Sequence, residues 1–465
     1  MESPIVGNVL MERRKFLIRT GGLATVAGLA GCSSDGSDGS DGGDDGGDGS
    51  SDGGDGSDGG SDGGDGDGGS TDGEAGEIKV GVLLPFSGNY AWVGENVLPV
   101  VQMIAEEING QGGIGGKDVT VVQGDTEASP DASLSATQRL IEVEGVAGVI
   151  GPTSITMSAV FDQFTENEIP SVTPTAGTTS LDDRGGEFVY RTVPSDSLGG
   201  RAIAKGAREQ QYNTVQSYSR MTMLVGDKEV FQSFKAPISS SFEEFGGTVA
   251  EAMDIRTGKS SYQSEVQSMM STNPEITVLV ASIEDSIKVM EAAFQAGYEG
   301  NWFLTQDQTN QDYLSQSENQ VTDGVLGLQE ATFQEAQESG RLEEFDSAIQ
   351  KYAGWDETKL FATNTYDAMN VLGLAMKKTA TDGDGLTGAN IAGNIQGVAN
   401  PPDQAVTDYA DGASAIEDGT DVDYRGLAGP IDFDEVGDIR APFSIQMAEG
   451  GEWTEAARLP PEALQ

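Results

Sequence analysis

The chain has 465 residues, one cysteine, no histidine and a formal charge of −50 at pH 7. The lack of histidine excludes the usual hydrolytic triads and most transition-metal sites, and one cysteine excludes an intrachain disulfide. Nucleic acid is not an expected partner, because phosphate contacts require basic patches. Enzymes that use only Asp, Glu, Lys and Ser stay open, but no catalytic constellation is visible. We therefore expect no enzyme, no cofactor and no metal.

Residues 1–31 have the pattern of an export signal. Arg13 and Arg14 precede a mildly apolar stretch that is far shorter than the ~20 residues of a membrane-spanning helix. The pair resembles the twin-arginine signal, although Glu12 stands where that signal prefers Ser or Thr. This interpretation favours Met11 over Met1 as the true start.

A lipid anchor is predicted at Cys32. It ends the motif Leu29-Ala30-Gly31-Cys32, which resembles a lipobox, where cleavage before the cysteine accompanies its lipidation. The alternative is an incidental cysteine at the end of a weak apolar segment. We expect a mature protein that begins at Cys32 and is held by lipid on the outer face of the cell membrane.

Residues 32–76 are predicted to be a disordered tether. Positions 33–73 contain only Ser, Asp, Gly and one Thr, so they cannot form a hydrophobic core. A calcium-binding repeat is the alternative, but such repeats need a regularly placed apolar residue, and none is present.

The remaining chain is also strongly acidic. Residues 77–465 hold 22 basic and 60 acidic side chains, a formal charge of −38. Acidity on this scale is typical of proteins adapted to molar salt, where self-repulsion is screened. Recruitment of a basic partner is the alternative, but the acids are spread along the chain.

Short apolar runs alternate with amphipathic stretches from Ile78 onward. Strands are predicted, in chain order, at IKVGVLLPFSG, DVTVVQGD, VAGVIGP, TMLVGD, GTVAEAMDI, EITVLVAS and WFLTQD. Helices are predicted through Val97, Val101, Ile104 and Ile108, and at 131–142, 284–296 and 361–378. A polar region at 381–426 follows, and alternation around Asp-Glu-Val-Gly-Asp predicts an antiparallel hairpin near the end. This order predicts an α/β fold with parallel sheets flanked by helices.

A ligand site is predicted where the strand VIGP ends and a helix begins. Thr153, Ser154 and Thr156 stand there, and helix N-termini at strand ends attract anions. The alternative is that Ser154 is simply an N-cap.

Five motifs occur together in one order: IKVGVLLPFSG, AEEINGQGGIGGKDVTVVQGDTEASPDAS, GVIGP, IPSVTPTAGT and LAGPIDFDEVGDIR. They resemble the leucine/isoleucine/valine-binding proteins, which are solute receptors of ABC transporters with the type 1 periplasmic-binding-protein fold. The resemblance covers nearly all of residues 77–456.

The resemblance implies two α/β lobes joined by three crossovers, with the ligand in the cleft between them. By alignment, lobe 1 is 77–194 plus 333–428, lobe 2 is 195–332 plus 429–456, and 457–465 is a C-terminal tail. Closure around the solute would create the surface that a membrane permease recognises. The implied partners are the solute and the permease and ATPase subunits, and we expect a monomer.

Part of the family's site falls on the first lobe. The hydroxyl that meets the ligand carboxylate falls at Ser154, with Thr153 as the alternative. The carbonyl and hydroxyl after the fourth strand fall at Ala176 and Gly177. Because glycine stands where threonine is usual, Thr178 is a substitute.

The implied apolar wall is aromatic. The family's aromatic residue in the first loop falls at Val93, and Trp92 beside it is the preferred residue. Phe231 matches an aromatic position of the second lobe, and Phe361 matches the apolar position before the motif TYDA. Ser282 stands where the family often has a tyrosine. Each aromatic has a core role as its alternative.

The carboxylate that pairs with the ligand ammonium aligns with Asp307. A zwitterion that leaves water needs donors for its carboxylate, and acceptors with one negative charge for its ammonium. A surface carboxylate is the alternative for Asp307.

The sequence thus predicts the solute receptor of a transporter for branched-chain or other hydrophobic amino acids. The departures at Gly177 and Ser282 keep open an amide, a urea-like compound, an aromatic acid or another small organic anion. The same fold also serves as a ligand-sensing receptor module. We expect no spanning helix or kinase after residue 465, which disfavours a receptor.

Overall fold

The computed structural model describes residues 76–401 and 403–464. The predicted export signal with Arg13 and Arg14, the lipidation site Cys32 and the tether up to residue 75 lie outside the described residues.

The first sheet has five parallel strands in the order β2-β1-β3-β4-β5. They are β1 (Ile78–Leu84), β2 (Val119–Asp125), β3 (Gly148–Ile150), β4 (Ser171–Thr173) and β5 (Val189–Arg191). Apolar side chains fill β1 and β3 on both faces, as expected for strands covered by helices on each side.

The second sheet has seven strands. Five come from the middle of the chain: β6 (Arg220–Gly226), β7 (Thr248–Ile255), β8 (Ile276–Val280), β9 (Asn301–Leu304) and β10 (Leu326–Glu330). A separate parallel pair follows, β11 (Gln404–Val406) and β12 (Val422–Tyr424). The hairpin β13 (Phe443–Glu449) and β14 (Glu452–Leu459) then adds to β10, giving the order β14-β13-β10-β9-β8-β6-β7. The pairs β10–β13 and β13–β14 are antiparallel.

Helices cover both sheets. They are α1 (Ala91–Gly110), α2 (Pro130–Gln138), α3 (Ser154–Glu166), α4 (Asp196–Arg208), α5 (Gln210–Asn213), α6 (Glu229–Gln232), α7 (Lys235–Glu244), α8 (Gln263–Ser271), α9 (Ile283–Gln295), α10 (Gln311–Ser315), α11 (Asn319–Thr322), α12 (Gln334–Glu338), α13 (Arg341–Ala353), α14 (Ala362–Thr381), α15 (Gly388–Ala399) and α16 (Tyr409–Glu417). Short helical turns of other types lie at Gly88–Tyr90, Arg139–Glu144, Thr179–Leu181, Gln306–Gln308 and Pro461–Leu464. No described helix is both long enough and apolar enough to span a bilayer.

The predicted face of α1 is confirmed. Val97, Val101, Ile104 and Ile108 are fully buried in the core of the first sheet, which α14 shares. Burial of each such side chain stabilises the fold by about 1.5–3 kcal/mol. The second sheet has its own apolar clusters on its two faces, so the molecule has two lobes, each with its own core.

The chain passes between the lobes three times. The crossovers run from β5 to α4, from β10 to α12, and from β12 to β13. The predicted α/β fold with two lobes, parallel sheets and three crossovers is therefore confirmed.

The predicted hairpin around Asp-Glu-Val-Gly-Asp is wrong. Asp434–Asp438 form a tight turn closed by backbone bonds, and no strand of the described chain includes it. Ile431 and Phe433 alternate with exposed aspartates because they bury into the first lobe without strand pairing. The antiparallel ladder lies further on, in β13 and β14 around Gly450-Gly451. Since β14 continues to Leu459, residues 457–459 belong to a strand and not to a tail.

The polar region 381–426 is also more regular than its composition suggests. It holds α15, α16 and the pair β11 and β12, whose apolar side chains pack on α14 and complete the core of the first lobe.

Candidate functional site

A cavity with about 400 Å³ of empty volume lies between the two lobes. Its wall is built at the carboxyl ends of strands from both sheets, the usual ligand position in open α/β folds. The lining residues are Ser154, Thr175, Gly177, Val193, Asp196, Val230, Phe231, Phe234, Val280, Thr305, Gln306, Asp307 and Phe361.

The start of α3 forms one wall. Thr153 is at the N-cap position without a side-chain cap bond, and Ser154 is the first helical residue, so the N-cap interpretation of Ser154 is wrong. Instead, Ser154 Oγ accepts a hydrogen bond from the amide of Thr178 at 3.2 Å, which ties α3 to the loop after β4. The buried hydroxyl of Thr153 has no partner among the described residues.

The turn after β9 forms the opposite wall. Gln308 fixes this turn, because its amide donates to the Ala281 carbonyl and to Ser286 Oγ. Asp307 in the same turn accepts no side-chain hydrogen bond from described residues, and burial raises its pKa to about 6. Gln306 Oε1 is buried beside it without a partner in the described chain.

Two further carboxylates stand near the cavity. Asp196 at the start of α4 is 4% exposed, and burial raises its pKa to about 7, with the charges of Asp307 and Asp182 adding to the rise. Burial likewise raises the pKa of Glu330, at the end of β10, to about 8, helped by Asp196 and Asp307. In the described chain, no group of three or more acids, cysteines or histidines is arranged to hold a metal ion.

The aromatic wall carries backbone strain. Phe361 lines the cavity with φ at +69°, in the left-handed region that disfavours a bulky residue. The Trp92 ring stacks on the Phe361 ring, with ring centroids 6.2 Å apart and ring planes 11° apart. Such strain persists only where surrounding contacts hold it, and it is concentrated at functional sites.

Buried polar contacts join two crossovers beside the cavity. Thr192 Oγ1 donates to the Asn364 carbonyl at 2.7 Å, and Asn364 Nδ2 donates back to the Thr192 carbonyl at 2.9 Å. The same amide donates to Glu330 Oε2 at 2.9 Å, which links the crossover after β5 to the one after β10.

Arg191 joins the third crossover to the site. Its Nε donates to Asp438 Oδ1 at 2.5 Å, and its Nη1 donates to the carbonyls of Gly177 and Thr178 at 3.0 and 2.9 Å. Nη2 donates to Asp182 at 2.7 Å. The guanidinium therefore fixes both the third crossover and the loop that lines the cavity.

The structure brings together half of the ten predicted ligand residues. Those that line the cavity are Ser154, Gly177, Phe231, Asp307 and Phe361.

The other five are not among the lining residues. Trp92 supports Phe361, Thr153 precedes α3, and the amide of Ala176 donates to Thr173 Oγ1. Thr178 caps the turn at Thr179–Leu181, and Ser282 caps α9 by accepting from the Asp285 amide. Val93, the alternative to Trp92, is buried in the core of the first lobe.

Sequence reasoning missed several lining residues. Val193 and Asp196 follow β5, Val230 and Phe234 follow β6, and Gln306 follows β9. Each of these residues could have been predicted as a lining residue from its position shortly after the end of a strand.

A cavity between two α/β lobes that are joined by three crossovers defines a two-lobed solute-binding protein. The family described as periplasmic binding protein matches residues 77–450, and the chain belongs to that family.

Two relatives show the range of similarity. The Leu/Ile/Val-binding protein homolog 7 of Brucella abortus is 36% identical over 119 residues, which are 25% of this chain and 30% of that protein. The match thus spans less than a third of its length. The chemotactic signal transduction system substrate-binding protein BasB of Halobacterium salinarum is 25% identical over 372 residues, 76% of this chain and 83% of that protein.

A solved structure with the same fold is the leucine-binding protein LivK of Thermotoga maritima. The TM-score is 0.69 at 22% sequence identity, and the match covers 83% of this chain and 99% of that one.

Proposed function

We propose that this chain is the extracytoplasmic solute-binding component of an ABC transporter and that it binds a branched-chain or other hydrophobic amino acid. The observation that carries this proposal is the make-up of the cavity. Ser154 at a helix start faces it from one lobe, Asp307 from the other, and Phe231 and Phe361 supply apolar surface. The names of two relatives, a Leu/Ile/Val-binding protein homolog and a substrate-binding protein, support the same class.

The roles follow from the chemistry of an amino acid. The carboxylate is received by the start of α3, where Ser154 Oγ and the positive end of the helix dipole favour an anion, with the Thr153 hydroxyl close in sequence. The ammonium is received by Asp307, since a desolvated cation needs an acceptor of opposite charge. Phe231 and Phe361 contact the apolar side chain.

Binding is coupled to closure of the lobes. We assign 77–194 with 333–428 to lobe 1 and 195–332 with 429–456 to lobe 2, following the alignment, with two adjustments. Ile431 and Phe433 bury into lobe 1, and β14 extends lobe 2 to Leu459. A solute that contacts both walls stabilises the closed form, which presents a surface to the permease. The three crossovers, which Asn364 and Arg191 link through hydrogen bonds, act as the hinge.

The test is calorimetry of the purified full chain in molar salt, after a thermal-shift screen of amino acids, amides, urea and aromatic acids. We expect a hydrophobic amino acid to bind, and Asp307→Asn to weaken its binding by more than tenfold. The matched control is Asp312→Asn, which removes an exposed carboxylate five residues away and should leave affinity unchanged. Failure of every amino acid to bind, or equal affinity of the two variants, contradicts the proposal.

The localisation is a separate proposal, with lipid on Cys32 as the anchor and Arg13 and Arg14 as the export signal. Cys32→Ser in a cell that secretes the full chain should release it into the medium. Replacing both arginines with lysine should keep it in the cytoplasm. Continued membrane retention of the serine variant would contradict the anchor.

A second candidate is a solute sensor for chemotaxis, which the similarity to BasB, a chemotactic signal transduction system substrate-binding protein, favours. Deletion of the chain in its host separates the two functions. Loss of uptake of the bound solute supports the transporter, whereas loss of taxis with unchanged uptake supports the sensor.

A further inference from the structure

A second cavity shares no lining residue with the cavity between the lobes. It has about 440 Å³ of empty volume and is lined by Leu198, Arg440, Ala441, Pro461 and Leu464. Leu198 belongs to the first turn of α4, and Arg440 and Ala441 lie at the end of the crossover that leads to β13. The other two residues belong to the helical turn after β14. Three segments that are distant in sequence therefore form one concave site.

The lining of this cavity is apolar except for one cation. Ala441 and Leu464 are 2% and 3% exposed, and Leu198 packs against the apolar core of lobe 2. Arg440 is exposed, and its guanidinium makes no hydrogen bond or ion pair with a described residue. An exposed arginine by itself is a solvated side chain, but here it stands beside a concave apolar wall. This combination fits a ligand that has an anionic group and an apolar part.

The segments that line this cavity also reach the cavity between the lobes. Asp196, two residues before Leu198, lines the cavity between the lobes. Asp438, two residues before Arg440, accepts a hydrogen bond from Arg191 Nε. The same guanidinium donates to two carbonyls of the loop after β4, which lines the cavity between the lobes. A ligand that contacts both Leu198 and Arg440 therefore acts on two of the three crossovers.

We propose that this second cavity binds an amphiphilic monocarboxylate, which is a carboxylate group on a short hydrocarbon chain. The carboxylate pairs with the Arg440 guanidinium, whose planar fork of N–H donors matches the two carboxylate oxygens. The hydrocarbon chain lies against Leu198 and Leu464. Because an exposed ion pair contributes little free energy, the apolar contacts supply most of the affinity and Arg440 selects the charge of the ligand.

The ligand should also strengthen solute binding, and this part rests on the proposed function. In this conformation the lobes are in contact, since Ser158 of lobe 1 donates to Glu229 of lobe 2 at 2.6 Å. A ligand that occupies the second cavity of this conformation stabilises the contact between the lobes. Coupling between two sites is reciprocal, so the solute should strengthen carboxylate binding by the same factor.

The experiment is calorimetry of the full chain in molar salt with three probes, first in the absence of any solute. The probes are octanoate, octylamine and acetate, which separate the effect of the carboxylate from that of the hydrocarbon. We expect saturable binding of octanoate with a dissociation constant of about 1 mM or below. Octylamine should bind at least tenfold more weakly, because its ammonium meets the guanidinium of Arg440, and acetate should not reach saturation.

Three variants locate the bound octanoate. Arg440→Gln should weaken octanoate binding at least threefold and remove most of its advantage over octylamine. The matched control is Arg256→Gln, which removes an exposed arginine of the same lobe that also has no side-chain partner in the described chain. This control should leave the octanoate affinity unchanged. Phe231→Ala alters a wall of the cavity between the lobes, so it reports octanoate that binds there instead.

A second titration tests the coupling. With octanoate at saturation, the best solute of the thermal-shift screen should bind at least threefold more tightly to the unmodified chain, and Arg440→Gln should abolish this gain. Absence of octanoate binding, equal losses in the two arginine variants, or loss of octanoate binding in Phe231→Ala overturns the inference and leaves the proposed function standing. Unchanged or weaker solute binding in octanoate overturns the coupling. Failure of every solute to bind contradicts the proposed function, while the octanoate titrations still decide the second site.

Discussion

Replacement of Arg191 by methionine should cost much of the stability of the fold. The side chain is 1% exposed, and its guanidinium is bonded to two carboxylates and two carbonyls. Removing it leaves the Asp438 carboxylate, whose side chain is 14% exposed, without its cation. Breaking a buried ion pair from one side typically costs about 3–5 kcal/mol. We expect the free energy of unfolding to fall by that amount.

The assay is urea denaturation of the full chain in molar salt, followed by tryptophan fluorescence. The matched control is Arg139→Met, because Arg139 is 49% exposed and pairs with Glu144 at 2.8 Å on the surface. An exposed pair contributes about 0–1 kcal/mol. A loss below about 1 kcal/mol for Arg191→Met, equal to that of the control, would refute the reasoning.

A double variant tests the cause of the loss. Adding Asp438→Leu to Arg191→Met removes the carboxylate that has lost its cation. The double variant should therefore lose less stability than Arg191→Met alone. Asp438→Leu should not rescue the control variant. If the double variant is instead less stable than either single one, the loss comes from packing and not from an unpaired charge.

Three more outcomes follow from the site. Phe361→Gly should be more stable than Phe361→Ala by about 1 kcal/mol, because glycine relieves the left-handed backbone while both variants lose the stacking on Trp92; equal denaturation midpoints would argue against strain. Ser158 Oγ donates to Glu229 Oε1 across the two lobes at 2.6 Å, so Ser158→Ala should weaken solute binding severalfold in calorimetry, and unchanged affinity would exclude this contact as a closure latch. Burial raises the pKa of Glu330 to about 8 in the folded protein. Because the folded state then holds this proton more tightly than the unfolded state does, the folded protein loses stability as the pH rises through the raised pKa. The melting temperature of the unliganded chain should thus fall between pH 6 and 8.5 and fall less in Glu330→Gln, while identical slopes would refute this assignment.

The helices and strands were predictable because the spacing of their apolar residues follows directly from which side chains are buried. The alternation of apolar strands and amphipathic helices from Ile78 gave the fold class, and the face of α1 matched its apolar positions. The same logic failed at Ile431 and Phe433, since alternate burial along a crossover has the period of a strand without its hydrogen bonds. The hydrophobic pattern of a sequence indicates which side chains are buried, but it does not indicate the hydrogen-bond partners of the backbone.

The site was predictable only in part, because it depends on contacts distant in sequence. Asn364 and Thr192 meet across 172 residues, and Arg191 and Asp438 across 247. Motif matching found residues such as Ser154 and Asp307, whose positions follow strand ends. It missed Asp196, which the crossover after β5 brings to the cavity.

The central claim is that the cleft holds an amino acid between a hydroxyl of one lobe and a carboxylate of the other. The most direct measurement is calorimetric titration of the full chain and of Asp307→Asn with the best amino acid of the thermal-shift screen. We expect saturable binding with one solute per chain, and an affinity more than tenfold lower in the variant. Absence of binding by any amino acid to the unmodified chain, or an unchanged affinity in Asp307→Asn, would contradict it.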